Sequence, residues 1–344
     1  MPFPKKYCKL FIISFLGTIL WPLGPYCALP PNAQGTQANV DWYSPKITTN
    51  YLINPQPVFM GFSQGKTVIP LKRAGRIFMI EATINNQTGN LIFDTGAQGL
   101  VLNKTYFRDY VVNEEGSANG ITGKTSQSGW TLIQNLSFSG ILYSKVRADI
   151  ADLRHIENKK GIKVLGLLGF GLLRDFEIVI DLKHSQLEIC TANKTLPEPS
   201  QSNDSLKVNS FIQIENQHPV VIIEGRIKNK QLRFCLDTGA ETNVLCSTTS
   251  SKVLNTVSIK RSSALTGGGS QTEEVLFGSM NEFWFNNNQM NGMDVIVTNL
   301  DYLSDAYGTH IDGMLGYSFL VKGKAYINYT KGTFAFIHFN NLNE

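Results

Sequence analysis

The sequence is short of most things that would announce a cofactor enzyme, a metal protein or a membrane span. No set of Cys and His residues has zinc-ligand spacing, and the five histidines read as surface residues. Five cysteines do not make a disulfide framework. Cys8 and Cys27 lie near the start, which leaves Cys190, Cys235 and Cys246 as small core residues with at most one bridge. The longest apolar stretch, Leu10 to Trp21, is shorter than the ~20 residues of an ordinary span. Sustained helical periodicity is missing, apart from brief candidates at Leu172 to Phe176 and Asp301 to Ala306. Charge of one sign is missing too. The formal net charge is +4, but without Lys5, Lys6 and Lys9 the balance is 28 basic to 27 acidic residues. Nothing here calls for nucleic acid or an anionic surface as partner.

Three short strings imitate catalytic motifs without their context. Gly61-Phe62-Ser63-Gln64-Gly65 has the form of a nucleophile elbow but is followed by Thr67-Val68-Ile69-Pro70 and no helix. Gly65-Lys66-Thr67 and Gly123-Lys124-Thr125 end like phosphate loops, yet the earlier glycine is Met60 in one and Ala118 in the other.

What is present is a folding composition, 42% hydrophobic and 17% charged in 344 residues, enough for two cores. Lys5, Lys6 and Lys9 ahead of the short apolar run read as a secretory leader over residues 1–28. The expectation is an exported protein, periplasmic, outer-surface or secreted. Cleavage after Ala28 would place Tyr26 at the −3 position, where a small residue is wanted, so an uncleaved anchor and a lipid-modified Cys27 stay open.

One string occurs twice, Asp94-Thr95-Gly96-Ala97 and Asp237-Thr238-Gly239-Ala240, each after a short apolar run. One such tetrapeptide is expected by chance on the order of 0.01 times in a chain this long. The repeat extends beyond it. Residues 80–102 align on 223–245 without a gap, and Ile121-Thr122-Gly123 matches Leu265-Thr266-Gly267. Gly166-Leu167-Leu168-Gly169 matches Gly313-Met314-Leu315-Gly316, and Ile178-Val179-Ile180-Asp181 matches Ala325-Tyr326-Ile327-Asn328. A period this long indicates a duplicated lobe and not a solenoid. The elements are short β-branched runs bounded by Asn, Gly and Lys turns, so the fold class is all-β. We divide the chain into an N-terminal extension at 29–66, lobe 1 at 67–190, a linker at 191–204 and lobe 2 at 205–344. Thr67 to Leu71 is expected to begin the first sheet.

Each Asp ends a buried strand and enters a turn that Gly96 or Gly239 permits and Thr95 or Thr238 can brace by its hydroxyl. If the lobes pack about a pseudo-twofold axis, Asp94 and Asp237 meet on it. Carboxylates ~3 Å apart at an effective dielectric of ~20 repel by about 5 kcal/mol when both are ionised, so the pair shares one proton. One member can then deprotonate a water while the other hydrogen-bonds a carbonyl.

These strings, with the apolar-Gly elements that follow them, resemble the aspartic peptidases, specifically retropepsin-like enzymes and their bacterial exported relatives, over roughly residues 67–338. The resemblance implies two homologous β-barrel-like lobes, an Asp94/Asp237 dyad in one chain, a monomer, a peptide or protein substrate, and no metal or organic cofactor. A membrane is involved only if the leader is uncleaved or lipidated. By order of motifs, Thr122, Gly123, Thr266, Gly267 and Gly268 fall in flap-like hairpins over the substrate; ordinary hairpin turns are the alternative. Neither segment carries the tyrosine of pepsin-type flaps. Ala97 and Ala240 replace the Ser or Thr that can hydrogen-bond the carboxylate in pepsin-type enzymes, so a less acidic optimum is expected. A non-catalytic peptide- or protein-binding module on the same fold is the rival reading. Asp312, opposite Leu165 in the repeat, is expected in a turn or at the surface.

Overall fold

The computed structural model describes residues 10–11, 57–59, 65–110, 113–114, 119–120, 123–124, 129–191, 206–208, 221–266, 272–285, 288–301, 303–304, 308–329 and 331–339. Strands dominate, and the longest helix is Arg154–Lys160.

The two halves share one strand order. In lobe 1 the neighbours run Ile141–Ala151, Leu100–Asn103, Gly166–Gly169, Gln87–Asp94, Ile77–Ile84. In lobe 2 they run Met293–Thr298, Asn243–Cys246, Gly313–Leu315, Lys230–Leu236, Ile222–Ile227. In both, the strand that ends in the Asp-Thr-Gly loop pairs in parallel with the apolar-Gly strand, Leu168 opposite Phe93 and Leu315 opposite Leu236. Lobe 1 closes because Gly129–Phe138 pairs with both Ile141–Ala151 and Ile77–Ile84. Lobe 2 stays open, with Val257–Thr266 as one edge.

Local sequence explains the hairpins. Ile84-Asn85-Asn86-Gln87 and Ile227-Lys228-Asn229-Lys230 are matching two-residue turns in which Asn85 and Lys228 take φ of +52° and +53°. Asparagine tolerates that region; lysine bears a steric cost there. Asn85 adds a reason for its place, since its Oδ1 accepts the amides of Gln134 and Asn135 at 3.1 and 3.0 Å.

A third sheet joins the lobes: Lys66–Pro70, Gln186–Thr191, Phe176–Asp181, Gly323–Asn328, Thr333–His338 and Leu206–Val208. Its central pair is antiparallel, with Val179 opposite Tyr326. Those two residues are each other's counterparts in the repeat, so the pseudo-twofold axis passes between them. The main apolar core runs without interruption through both lobes and this sheet.

Some expectations need correction. Lys66–Pro70 begins the inter-lobe sheet, pairing with Gln186–Thr191, and not the lobe 1 sheet. The helical candidate at 172–176 is a single 3-10 turn, Phe170–Leu172, after which Phe176 opens a strand; Leu172 and Leu173 are buried on one side of that turn and no second turn forms. Asp312 lies in a bend, as one of its two expected places, but not at the surface: it is buried, and its Oδ2 accepts the amide of Arg233 at 2.9 Å. Most of the linker and of the 29–66 extension lies outside the described residues. Within the leader, Leu10–Phe11 pairs in parallel with Asn119–Gly120. Cys190, Cys235 and Cys246 are buried, and none of them is in a disulfide among the described residues.

Candidate active site

Leu91, Ile92 and Phe93 are fully buried, as are Phe234, Cys235 and Leu236 in the other lobe. Burying each larger side chain contributes ~1.5–3 kcal/mol, which fixes the ends of both strands in depth. Asp94 and Asp237 emerge from those ends and are themselves buried, at 0% and 1% exposure.

Each loop turns back on its own aspartate. The amides of Gly96 and Ala97 donate to Asp94 Oδ1 at 2.9 and 3.1 Å. In lobe 2, Gly239 donates to Asp237 Oδ1 at 2.8 Å. The loops then lock together across the axis. Thr95 N donates to Thr238 Oγ1 at 2.9 Å, and Thr238 N donates to Thr95 Oγ1 at 3.0 Å. The hydroxyls pass their own protons on, Thr238 to Phe93 O at 2.9 Å and Thr95 to Leu236 O at 3.3 Å. Four buried polar groups are thereby satisfied with no water, which leaves the loops little freedom.

Glycine is required where the two halves close on each other. A methyl group on Gly96 would sit 2.9 Å from Asp237 Cγ. One on Gly169 would lie 2.5 Å from the carbonyls of Ala97 and Gly99, and one on Gly316 would lie 2.4 Å from Ala240 O. The apolar-Gly elements therefore pack directly beside the Asp-Thr-Gly loops, with the glycines as the points of contact.

Burial pushes the Asp237 carboxyl up to about 6, against the opposing pull of the Gly239 amide, the Asp94 carboxyl and the amides of Gly96 and Ala240. Asp237 Oδ2 is buried and receives no hydrogen bond from a protein donor. Its closeness to the Asp94 carboxyl becomes a hydrogen bond once a single proton lies between them. Burial, and then the Asp237 charge, also raise the Cys235 thiol, which packs 3.7 Å from Gly313 O and stays protonated.

The sequence-derived residues Asp94, Thr95, Gly96, Asp237, Thr238 and Gly239 thus come together. Of the flap residues, Gly123 lies in Gly123–Lys124, antiparallel to Asn119–Gly120. Thr266 ends Val257–Thr266 opposite Thr272, the first residue of its antiparallel partner Thr272–Met280. Thr122, Gly267 and Gly268 lie outside the described residues. The sequence reading misses an inter-lobe cluster of Arg76, Lys160, Glu241 and Asp294; the one local sign of it is Glu241, directly after Ala240, where the repeat has Gln98. Among the described residues no group of three acidic, His or Cys side chains could hold a metal ion, and no helix is long and apolar enough to cross a membrane.

Compared with models of protein families, the chain matches one described as "Aspartyl protease" twice, over residues 80–172 and 221–319. No curated protein matches the chain.

Proposed function

The chain belongs to the aspartyl protease family, and on that premise we propose that it is a monomeric endopeptidase in which Asp94 and Asp237 act together on a bound water. The observation that carries this reading is the mutual lock of the two Asp-Thr-Gly loops, which holds two buried carboxyls within hydrogen-bond reach. A duplicated protein that only bound peptides would need the turns but not both acids, because asparagine serves a turn equally well.

The two carboxyls share one proton: burial raises Asp237, while the Asp94 carboxyl, as a hydrogen-bond donor to it, pulls the other way. The ionised member takes a proton from water as the water oxygen attacks the peptide carbonyl carbon, and the protonated member gives its proton to the carbonyl oxygen. The resulting gem-diol collapses as the first acid passes its proton to the amide nitrogen. The C–N bond breaks, and the second acid recovers a proton from a diol hydroxyl. No covalent intermediate and no metal takes part.

Both acids are buried, so on this reading substrate reaches them through a motion of the segments around them. We assign that motion, by the order of motifs, to the segments that carry Thr122, Gly123, Thr266, Gly267 and Gly268, which would lie over an extended substrate. The leader is the ground for placing the enzyme outside the cytoplasm, with its two catalytic lobes in 67–190 and 205–344.

The test is cleavage of a mixed peptide library from pH 3 to 8 by the wild type, Asp94→Asn and Asp237→Asn. Cleavage by the wild type alone supports the dyad and yields subsite preferences. Cleavage retained by either variant sinks it. A folded wild type that binds peptides but cuts none at any pH favours the binding module.

A further inference from the structure

Lobe 1 grips the Asp237 loop through charged side chains. Glu241 stands one residue beyond Ala240. Its carbonyl accepts from Arg76 Nη1 at 3.3 Å, and its carboxylate pairs with Lys160 Nζ. The two side chains of that pair are only 16% and 13% exposed. Arg76 Nη2 also donates to Asp294 Oδ2 at 2.7 Å, and Lys260 reaches Asp294 Oδ1 at 3.3 Å.

A second hold lies next to the first. Arg73 donates to the Tyr317 hydroxyl at 2.9 Å, and the guanidinium groups of Arg73 and Arg76 each sit 5.4 Å from the Tyr317 ring centre. Tyr317 N in turn donates to Ala240 O at 2.8 Å, and Ala240 N donates to Asp237 O at 3.3 Å. A continuous set of contacts therefore runs from Arg73, Arg76 and Lys160 of lobe 1 to the backbone that carries Asp237.

The arrangement is one-sided. In the repeat, Gln98 stands for Glu241 and Pro219 stands for Arg76, so the Asp94 loop cannot receive the same pair. Within its own lobe the Asp94 loop has the counterpart of the Tyr317–Ala240 bond, Phe170 N on Ala97 O at 3.0 Å, and adds Gly171 N on Gln98 O at 3.0 Å.

Resting on the function proposed above, we infer that Arg76 and the Lys160–Glu241 pair are positioning residues: they set the depth of the Asp237 loop, and so the spacing at which the two carboxyls share a proton. The charged groups facing Glu241 are Lys159 and Lys160, from helix Arg154–Lys160, and Arg76, from the turn before Ile77–Ile84. Asp294 and Lys260 face Arg76 from lobe 2, while Asp94 and Cys235 face Asp237.

The experiment is the pH profile of kcat and KM for the wild type, Arg76→Met, Lys160→Met, Lys160→Arg and the reversed pair Lys160→Glu with Glu241→Lys. Closely held carboxyls titrate with widely separated apparent pKa values; a retreat of ~1 Å brings those values together by about one unit. The expected result for Lys160→Met is kcat down about tenfold, KM within about twofold, and the two apparent pKa values closer by about one unit, with Lys160→Arg and the reversed pair restoring both. Unchanged kcat and profile overturn the inference. So does a lower kcat with unmoved pKa values, which reports only less folded enzyme. If Lys160→Met does not fold, Arg76→Met, at a less buried position, is read by the same criteria. A wild type that cleaves nothing fails the parent reading, whereas a wild type that needs Asp94 but ignores Lys160 and Arg76 fails this inference alone.

Discussion

Thr95 and Thr238 exchange backbone-to-hydroxyl hydrogen bonds across the lobe boundary at 2.9 and 3.0 Å, so each residue completes the other's loop. Replacing either with Val keeps the shape, removes the acceptor for the opposite N–H and strands that group in a dry site. Thr95→Val or Thr238→Val should each cost about 1–3 kcal/mol in urea unfolding. Thr→Ser should recover most of it, since serine keeps the hydroxyl. The two Val changes break different bonds but loosen the same pair of loops, so they should be clearly non-additive; strict additivity would mean that the threonines do not act as a unit.

Gly96 separates backbone from the opposing carboxyl. A methyl at this position would meet Asp237 Cγ at 2.9 Å. Gly96→Ala should therefore displace Asp237 with little effect elsewhere and lower kcat on the order of 100-fold. The measurement is kcat with stability alongside. A variant as active as the wild type would show that the carboxyl can give way at no cost to the chemistry.

The architecture is legible in the sequence wherever the backbone itself dictates the residue. Asp-Thr-Gly, the apolar-Gly strands and the Val179/Tyr326 elements recur because two lobes meeting on an axis need the same glycines and the same strand twice. Features set by distant partners are not legible. Arg76 and Asp294 are 218 residues apart, and nothing local marks either one. Asp312 looks like a surface residue until Arg233 N is found beside it. Lys66–Pro70 has the period of a strand, but its partner across the boundary, Gln186–Thr191, is chosen by the tertiary fold.

Asp237 is an acid that the fold holds at a cost. Its carboxyl titrates at about 6 in the folded protein, above the ordinary value of 3.8. With the folded value raised, the unfolded chain releases this proton first as pH rises, so stability is greatest below 3.8 and declines as pH climbs to about 6. Asp237→Asn removes the charge and should raise unfolding stability at pH 7–8 by about 1–3 kcal/mol while abolishing cleavage; at pH 4 the gain should be much smaller. Equal gains at pH 4 and pH 8 would mean that burial of the charge is not the cause. The same proton predicts that wild-type kcat/KM falls as pH rises past about 6.

Asp181 works in the opposite direction, and in the sheet that holds the lobes together. It is fully buried, accepts His184 N at 3.1 Å and pairs with Lys324 Nζ of lobe 2 at 3.0 Å. Burial alone would raise its carboxyl, but His184 and Lys324 outweigh that and hold it below its ordinary value. Its repeat counterpart, Asn328, takes the Lys331 amide in the same turn and meets Glu177 at 2.5 Å, so one of two symmetric clamps is ionic and the other is not. A depressed folded value gives stability that is fully present above the unfolded value of 3.8 and is lost as pH falls below it through the folded value. Lys324→Met strips the charge from a buried partner while leaving His184 in place. Because Lys324 is about a third exposed, the cost should be a discounted 1–3 kcal/mol at neutral pH, by the order of magnitude for a partly buried pair, and should shrink toward pH 3. Asp181→Asn should flatten the acid limb of the unfolding curve, since the asparagine has no proton to take up. A cost that stays constant from pH 3 to 7 in Lys324→Met would show that the pair contributes packing and not charge. The two buried acids thus tilt stability in opposite senses on either side of pH 4. The lobes lose their ionic clamp in the strongly acidic range, which adds to the loss of Ser or Thr at Ala97 and Ala240 as a ground for expecting the proposed peptidase to work nearer neutrality than pepsin-type enzymes do.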